Sequence, residues 1–170
     1  MKAIRNLVMA AAIFGLLTGA AGAAGKLAFK ADLDSYQQVS TLSTTGTGSL
    51  AVRLNAAEDS ASYELSYQGL EGGAVLFAHI HLGEPHTNGG VIVFLCSNFG
   101  PAPPGTPSCP LNDGTVVSGT LMAGDVIGPA GQGIAAGEFA EFIEALRAGA
   151  TYVNVHTAGF GTGEIRGQVR

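Results

Sequence analysis

Tryptophan is absent from the 170 residues, and only two cysteines occur. Without Trp, a sugar-stacking platform would rest on the 4 Tyr and 8 Phe. Charged residues make up 12% of the chain while glycine contributes 26 positions, a balance that excludes a coiled coil and a charged disordered tail. Basic residues are scarce: 8 Lys and Arg stand against 13 Asp and Glu, a formal charge of −5. Charge of that sign repels nucleic-acid backbones and anionic membrane surfaces, so neither is expected as a partner. Nucleophile elbows of the G-x-S-x-G kind and Gly-rich phosphate loops are missing. No acid pair is placed for glycoside hydrolysis, since Asp125 and Glu138 fall in different elements. Beyond the first segment, no stretch approaches the ~18 uninterrupted apolar residues of a membrane-spanning helix.

What is present begins with that first segment. Lys2 and Arg5 precede the apolar run Leu7–Leu17, which is too short for a stable anchor, and Ala21-Gly22-Ala23 fits an A-x-A cleavage site. This reads as a secretory signal peptide over residues 1–23, the alternative being a short membrane anchor. A single domain over 24–170 follows, with six basic against thirteen acidic residues and no further membrane span. The expected location is secreted or periplasmic. Cys96 and Cys109 fit such an oxidising compartment, and a disulfide between them is expected. It would close the segment holding Pro101, Pro103, Pro104 and Pro107 and stabilise the fold by ~3 kcal/mol in the chain-entropy description. A metal-thiolate pair or two free thiols are the alternatives.

Strict alternation of apolar and polar residues dominates after residue 26. Strands are predicted over 27–33, 49–54, 61–67, 75–82, 91–96, 115–122, 151–157 and 164–169, the second and third forming a hairpin. The run Val91–Cys96 is nearly all apolar, as in a strand covered on both faces. One helix is predicted at Glu138–Ala148, because Phe139, Phe142, Ile143 and Leu146 form an apolar stripe and Gly149 is placed to cap it. The fold class is therefore all-β, a mainly antiparallel β-sandwich of about eight strands with one short helix before the penultimate strand.

Side-chain alternation places His79 and His81 on one face of their strand, opposite the apolar set Leu76, Ala78, Ile80 and Leu82. Tyr152, Asn154 and His156 share a face opposite Val153 and Val155, and Glu164, Arg166 and Gln168 line the polar face of the last strand. His79, His81 and His156 thus make a candidate three-nitrogen metal site, with copper favoured among divalent ions. Asn154, Glu164 and Arg166 are expected around it, Glu164 and Asn154 fixing which ring nitrogen faces the metal. Affinity is expected to fall as pH drops through the ordinary imidazole value of ~6.5. The competing reading is a hydrogen-bonded polar layer in which the histidines pair with Glu164 or Asn154. His86, in a polar loop, is expected to be solvated.

The segments Ala78-His79-Ile80-His81-Leu82-Gly83, Gly89-Gly90-Val91-Ile92-Val93, Ala148–Thr157 and Gly163–Val169, in this order, resemble the chordin-type (CHRD) domain. Ser118-Gly119-Thr120-Leu121 and Gly124-Asp125-Val126 are similar to its middle part. The chain departs from the family pattern after His81, where Gly-Pro-Ala is usual, and in a longer insert around the two cysteines. The resemblance implies an exported single-domain module; the expected partner is a metal ion, from the histidine pattern, or an extracellular protein. It does not carry over the growth-factor binding of chordin itself, because fold and function separate. The Ala78–His81 strand is also locally similar to the copper-binding strand of copper/zinc superoxide dismutase. Three readings follow: a non-catalytic binding domain with copper on one sheet face, a structural or adhesive module without metal, and a metalloenzyme of superoxide-dismutase type.

Overall fold

The computed structural model describes residues 25–100, 102–111 and 114–170, so the expected signal peptide lies outside the described residues. Among the described residues there are eight antiparallel strands: β1 (Ala28–Asp34), β2 (Thr47–Leu54), β3 (Ser60–Gln68), β4 (Val75–Leu82), β5 (Val91–Ser97), β6 (Val116–Met122), β7 (Thr151–Thr157) and β8 (Ile165–Val169). They form one continuous sheet in the order β5-β4-β7-β8-β1-β2-β3-β6. The sheet curls until its two edge strands, β5 and β6, approach each other. The facing layers inferred from the sequence are the two halves of this nearly closed sheet. Across the interior, the Tyr63 hydroxyl on β3 donates to the Leu95 carbonyl on β5 at 2.5 Å.

The alternating apolar residues meet inside. Phe29, Leu50, Val52, Leu65, Ile80, Val93, Val153 and Ile165 belong to one buried cluster drawn from seven different strands. Each such side chain contributes about 1.5–3 kcal/mol through burial. The helix α1 (Phe139–Arg147) adds Phe142, Ile143 and Leu146 to the same cluster. Glu138 and Ala148 are its two caps rather than helical residues, and Gly149 turns the chain at φ 68°. Only glycine takes that left-handed turn without strain, and Ala150 N–H then donates back to the Ala145 carbonyl at 3.0 Å. Arg147, in the last turn, pairs with Glu58 of the β2–β3 turn, which holds the helix at that end of the sheet.

The apolar run in β5 has a more specific cause than cover on both faces. The pairing of β4 with β5 shifts register between Ala78 and His79 and again between Ile80 and His81. Each bulge leaves an extra β5 residue, Leu95 and Ile92, which both turn into the core. Cys96 and Cys109 are disulfide-bonded with Cα atoms 4.9 Å apart, tying the Pro-rich loop to the end of β5. The Asn98 side chain completes that clamp, donating to the carbonyls of Val75 and Cys109. No helix among the described residues is long and apolar enough to cross a membrane.

Candidate metal centre

The outer face of β4, β7 and β8 is not open to solvent. All seven residues of β7 are buried, on both faces of the strand. Three loops cover the polar side: 35–44 through Gln38, which donates to the Asn154 side chain at 2.7 Å; 83–90; and 158–163. A polar face lined by His, Asn, Arg and Gln therefore lies in a water-poor layer, where every nitrogen without a partner costs free energy.

His79, His81 and His156 meet in this layer. They are 5%, 8% and 7% exposed, and one ligand atom from each lies within 4.8 Å of the others. The strand register produces the meeting. His79 pairs across with Asn154 and Phe77 with His156, so His156 lies diagonally beside His79 on the same face. Ring centroids are 5.3 Å apart for His79 and His81, 5.1 Å for His79 and His156, and 6.2 Å for His81 and His156. Phe77 stacks on the His79 ring at 4.7 Å, and Phe94 meets it edge-on at 4.2 Å.

Two of the three rings are held by the backbone. His81 Nδ1 lies 3.0 Å from the Gly89 carbonyl, and His156 Nδ1 lies 3.0 Å from the Gly161 carbonyl. A carbonyl can only accept, so each Nδ1 carries the proton and each Nε2 keeps its lone pair. Those Nε2 atoms are buried without a hydrogen-bond partner, as are both nitrogens of His79. Imidazoles anchored through one nitrogen to a carbonyl, with the other nitrogen free, are the arrangement in which protein histidines ligate metals. A four-coordinate ion at ~2.0–2.1 Å from each nitrogen sets the nitrogens about 3.4 Å apart, so nitrogens that lie within 4.8 Å close by up to about 1.4 Å to hold one.

Electrostatics keeps the set neutral. Burial pushes the His79 pKa down to about 2, with the neighbouring His156 and His81 adding to the effect. Burial also brings His81 down to about 4; its bond to Gly89 opposes this, while His156 and Arg166 reinforce it. His156 is lowered by burial against its bond to Gly161. Proton competition at the site therefore lies well below the expected ~6.5, because the charged imidazole is the form that burial disfavours.

The other residues expected at the site do different work. Glu164 is fully buried, but its carboxylate accepts from the backbone N–H groups of Glu71 and Gly72 and from the Thr157 hydroxyl. Asn154 binds Gln38 and the Thr162 carbonyl. Neither one orients an imidazole. That role falls to Gly89 and Gly161, which side-chain patterns do not reveal. Gly89 also passes so close to the Leu82 carbonyl that a Cβ would collide with it. Arg166 does reach the site, through Tyr152: its guanidinium lies 3.4 Å over the Tyr152 ring, which stacks on His81 at 4.7 Å with the planes 4° apart. His86 is exposed in the 83–90 loop, as expected.

A curled antiparallel sheet that buries three imidazoles under its loops defines the class, a β-module with a closed polar layer. Residues 29–169 match the CHRD domain, and the chain belongs to that family. No curated protein and no solved structure matches it significantly.

Proposed function

We propose that this protein is an exported, non-catalytic module that holds one transition-metal ion through His79, His81 and His156. The observation that carries the reading is three buried histidines that each bring a ring nitrogen within 4.8 Å of the others, with four of their six nitrogens unpartnered. A purely structural polar layer would satisfy those atoms, because leaving a buried nitrogen unpaired costs roughly 1–3 kcal/mol. Neither Glu164 nor Asn154 relieves them. Three imidazoles suit copper and zinc, and copper leads among divalent ions at a nitrogen site. The ring nitrogens without partners have almost no accessible surface, which favours holding an ion over turning over a substrate at it. The disulfide and the family membership support an extracellular location.

Calorimetric titration of the metal-free protein with Cu²⁺ and Zn²⁺ tests this. One ion per chain is expected, with tight binding lost in His81→Ala and retained in His86→Ala. Binding no tighter than surface imidazoles give, or equal loss in both variants, would overturn the reading.

A further inference from the structure

A second site lies on the other side of Tyr152. Arg166 is 2% exposed, yet no carboxylate pairs with it; the ion pairs among the described residues are those of Arg147 with Glu58 and Glu144. Its Nη2 donates to the Glu84 carbonyl at 3.1 Å, while its Nη1 is buried without any partner. The Tyr152 face offsets part of the cost of that charge but does not neutralise it. Two residues along β8, Gln168 shows the complementary fault. Its amide nitrogen donates to the carbonyls of Gly83 and Gly149, and its Oε1 is buried and unpaired. Both residues line one open cleft of about 460 Å³, shared with Arg170, His86, Gln37 and Asp32.

We propose that this cleft binds a small oxyanion that also carries a hydroxyl group, hydrogen phosphate or an α-hydroxycarboxylate. Once the two side chains turn toward the cleft, the oxyanion supplies the acceptor and countercharge that Arg166 lacks, and the hydroxyl supplies the donor that Gln168 Oε1 lacks. The side chains lining the cleft include two guanidinium groups and one carboxylate, that of Asp32. The volume is within the usual range for a small-ligand site, about 300–1,000 Å³. This site lies across Tyr152 from the imidazole cluster and uses none of its three histidines, so it does not depend on a metal.

Chelator-treated protein is titrated calorimetrically at low ionic strength with inorganic phosphate and, separately, with glycolate. One saturable site per chain is expected for at least one of the two, and the responding arm identifies the ligand class. Arg170→Ala and His86→Ala, both at exposed positions, are expected to weaken binding several-fold. Arg166→Lys keeps the charge but loses the planar fork, and a loss of about tenfold or more is expected. His86→Ala separates the two sites, since it is expected to leave metal binding intact. Absence of saturable binding of either oxyanion in the millimolar range would overturn the proposal. So would binding that Arg170→Ala and His86→Ala leave unchanged, and these two variants decide the matter if Arg166→Lys does not fold.

Discussion

Replacing His79 with phenylalanine is expected to make the metal-free protein more stable while abolishing metal binding. Both nitrogens of His79 are buried and unpaired, and its ring already packs between Phe77 and Phe94. Removing an unsatisfied polar group of this kind recovers roughly 1–3 kcal/mol. The slightly larger ring gives part of that back through overpacking. A net gain of about 1 kcal/mol at pH 7 is therefore expected. Acid enlarges it. The folded pKa of His79 is pushed down to about 2, below its unfolded value of 6.5, so the unfolded chain takes up the proton first. Stability from a depressed histidine is intact above pH 6.5 and is lost as pH falls toward the folded value. The slope is about 1.4 kcal/mol per pH unit, or about 2 kcal/mol by pH 5 for one imidazole. The advantage of His79→Phe over wild type is then about 3 kcal/mol at pH 5. Denaturant unfolding of metal-free protein, disulfide intact, at pH 7 and pH 5 measures both values. A variant destabilised at both pH values, with the pH dependence of wild type, would show that His79 is a structural residue and that the orphan-nitrogen argument is wrong.

Two further outcomes are expected. Gly89→Ala forces a Cβ against the Leu82 carbonyl and displaces the carbonyl that fixes His81, so metal affinity is expected to drop at least tenfold in calorimetry, at a stability cost of about 1–3 kcal/mol. Replacing Cys96 and Cys109 together by serine releases the Pro-rich loop and is expected to lower unfolding free energy by ~3 kcal/mol in denaturant titrations, while leaving metal stoichiometry unchanged because the bridge lies outside the imidazole cluster.

The eight strands and the helix were legible because each obeys a local rule. Period-two alternation marks β1, β2 and β3, and the 3.6-residue stripe from Phe139 to Leu146 marks α1. The meeting of His79, His81 and His156 was legible for the same reason, since a two-residue period fixes the face and a neighbouring strand adds the third ring. Three features follow from no local rule. The closure of one sheet depends on pairing across the whole chain, β1 beside β8 and β3 beside β6. The apolar run of β5 reflects two bulges rather than cover on both faces. The partners of the imidazoles are backbone carbonyls of loops, and a carbonyl looks the same at every residue.

Burial of the polar face is what ties these features together. Had the face opposite the core been open, water would satisfy each ring nitrogen, and the histidines would carry no signal beyond their spacing. The loops 35–44, 83–90 and 158–163 remove that water and satisfy much of what they cover: the Asn154 amide and one nitrogen each of His81 and His156, while the Glu164 carboxylate is satisfied by Glu71, Gly72 and Thr157. Six of the nine buried side-chain atoms left without a partner among the described residues fall in two groups. Four are the nitrogens of the three histidines, and two more, Arg166 Nη1 and Gln168 Oε1, border one cleft on the far side of Tyr152. The other three, Thr44 Oγ1, Thr151 Oγ1 and Arg147 Nε, lie outside both groups, so the two clusters of residual need are the layer's most informative feature. Each specifies the chemistry that would complete it, an electron-pair acceptor among the imidazoles and a hydroxylated oxyanion beside the guanidinium.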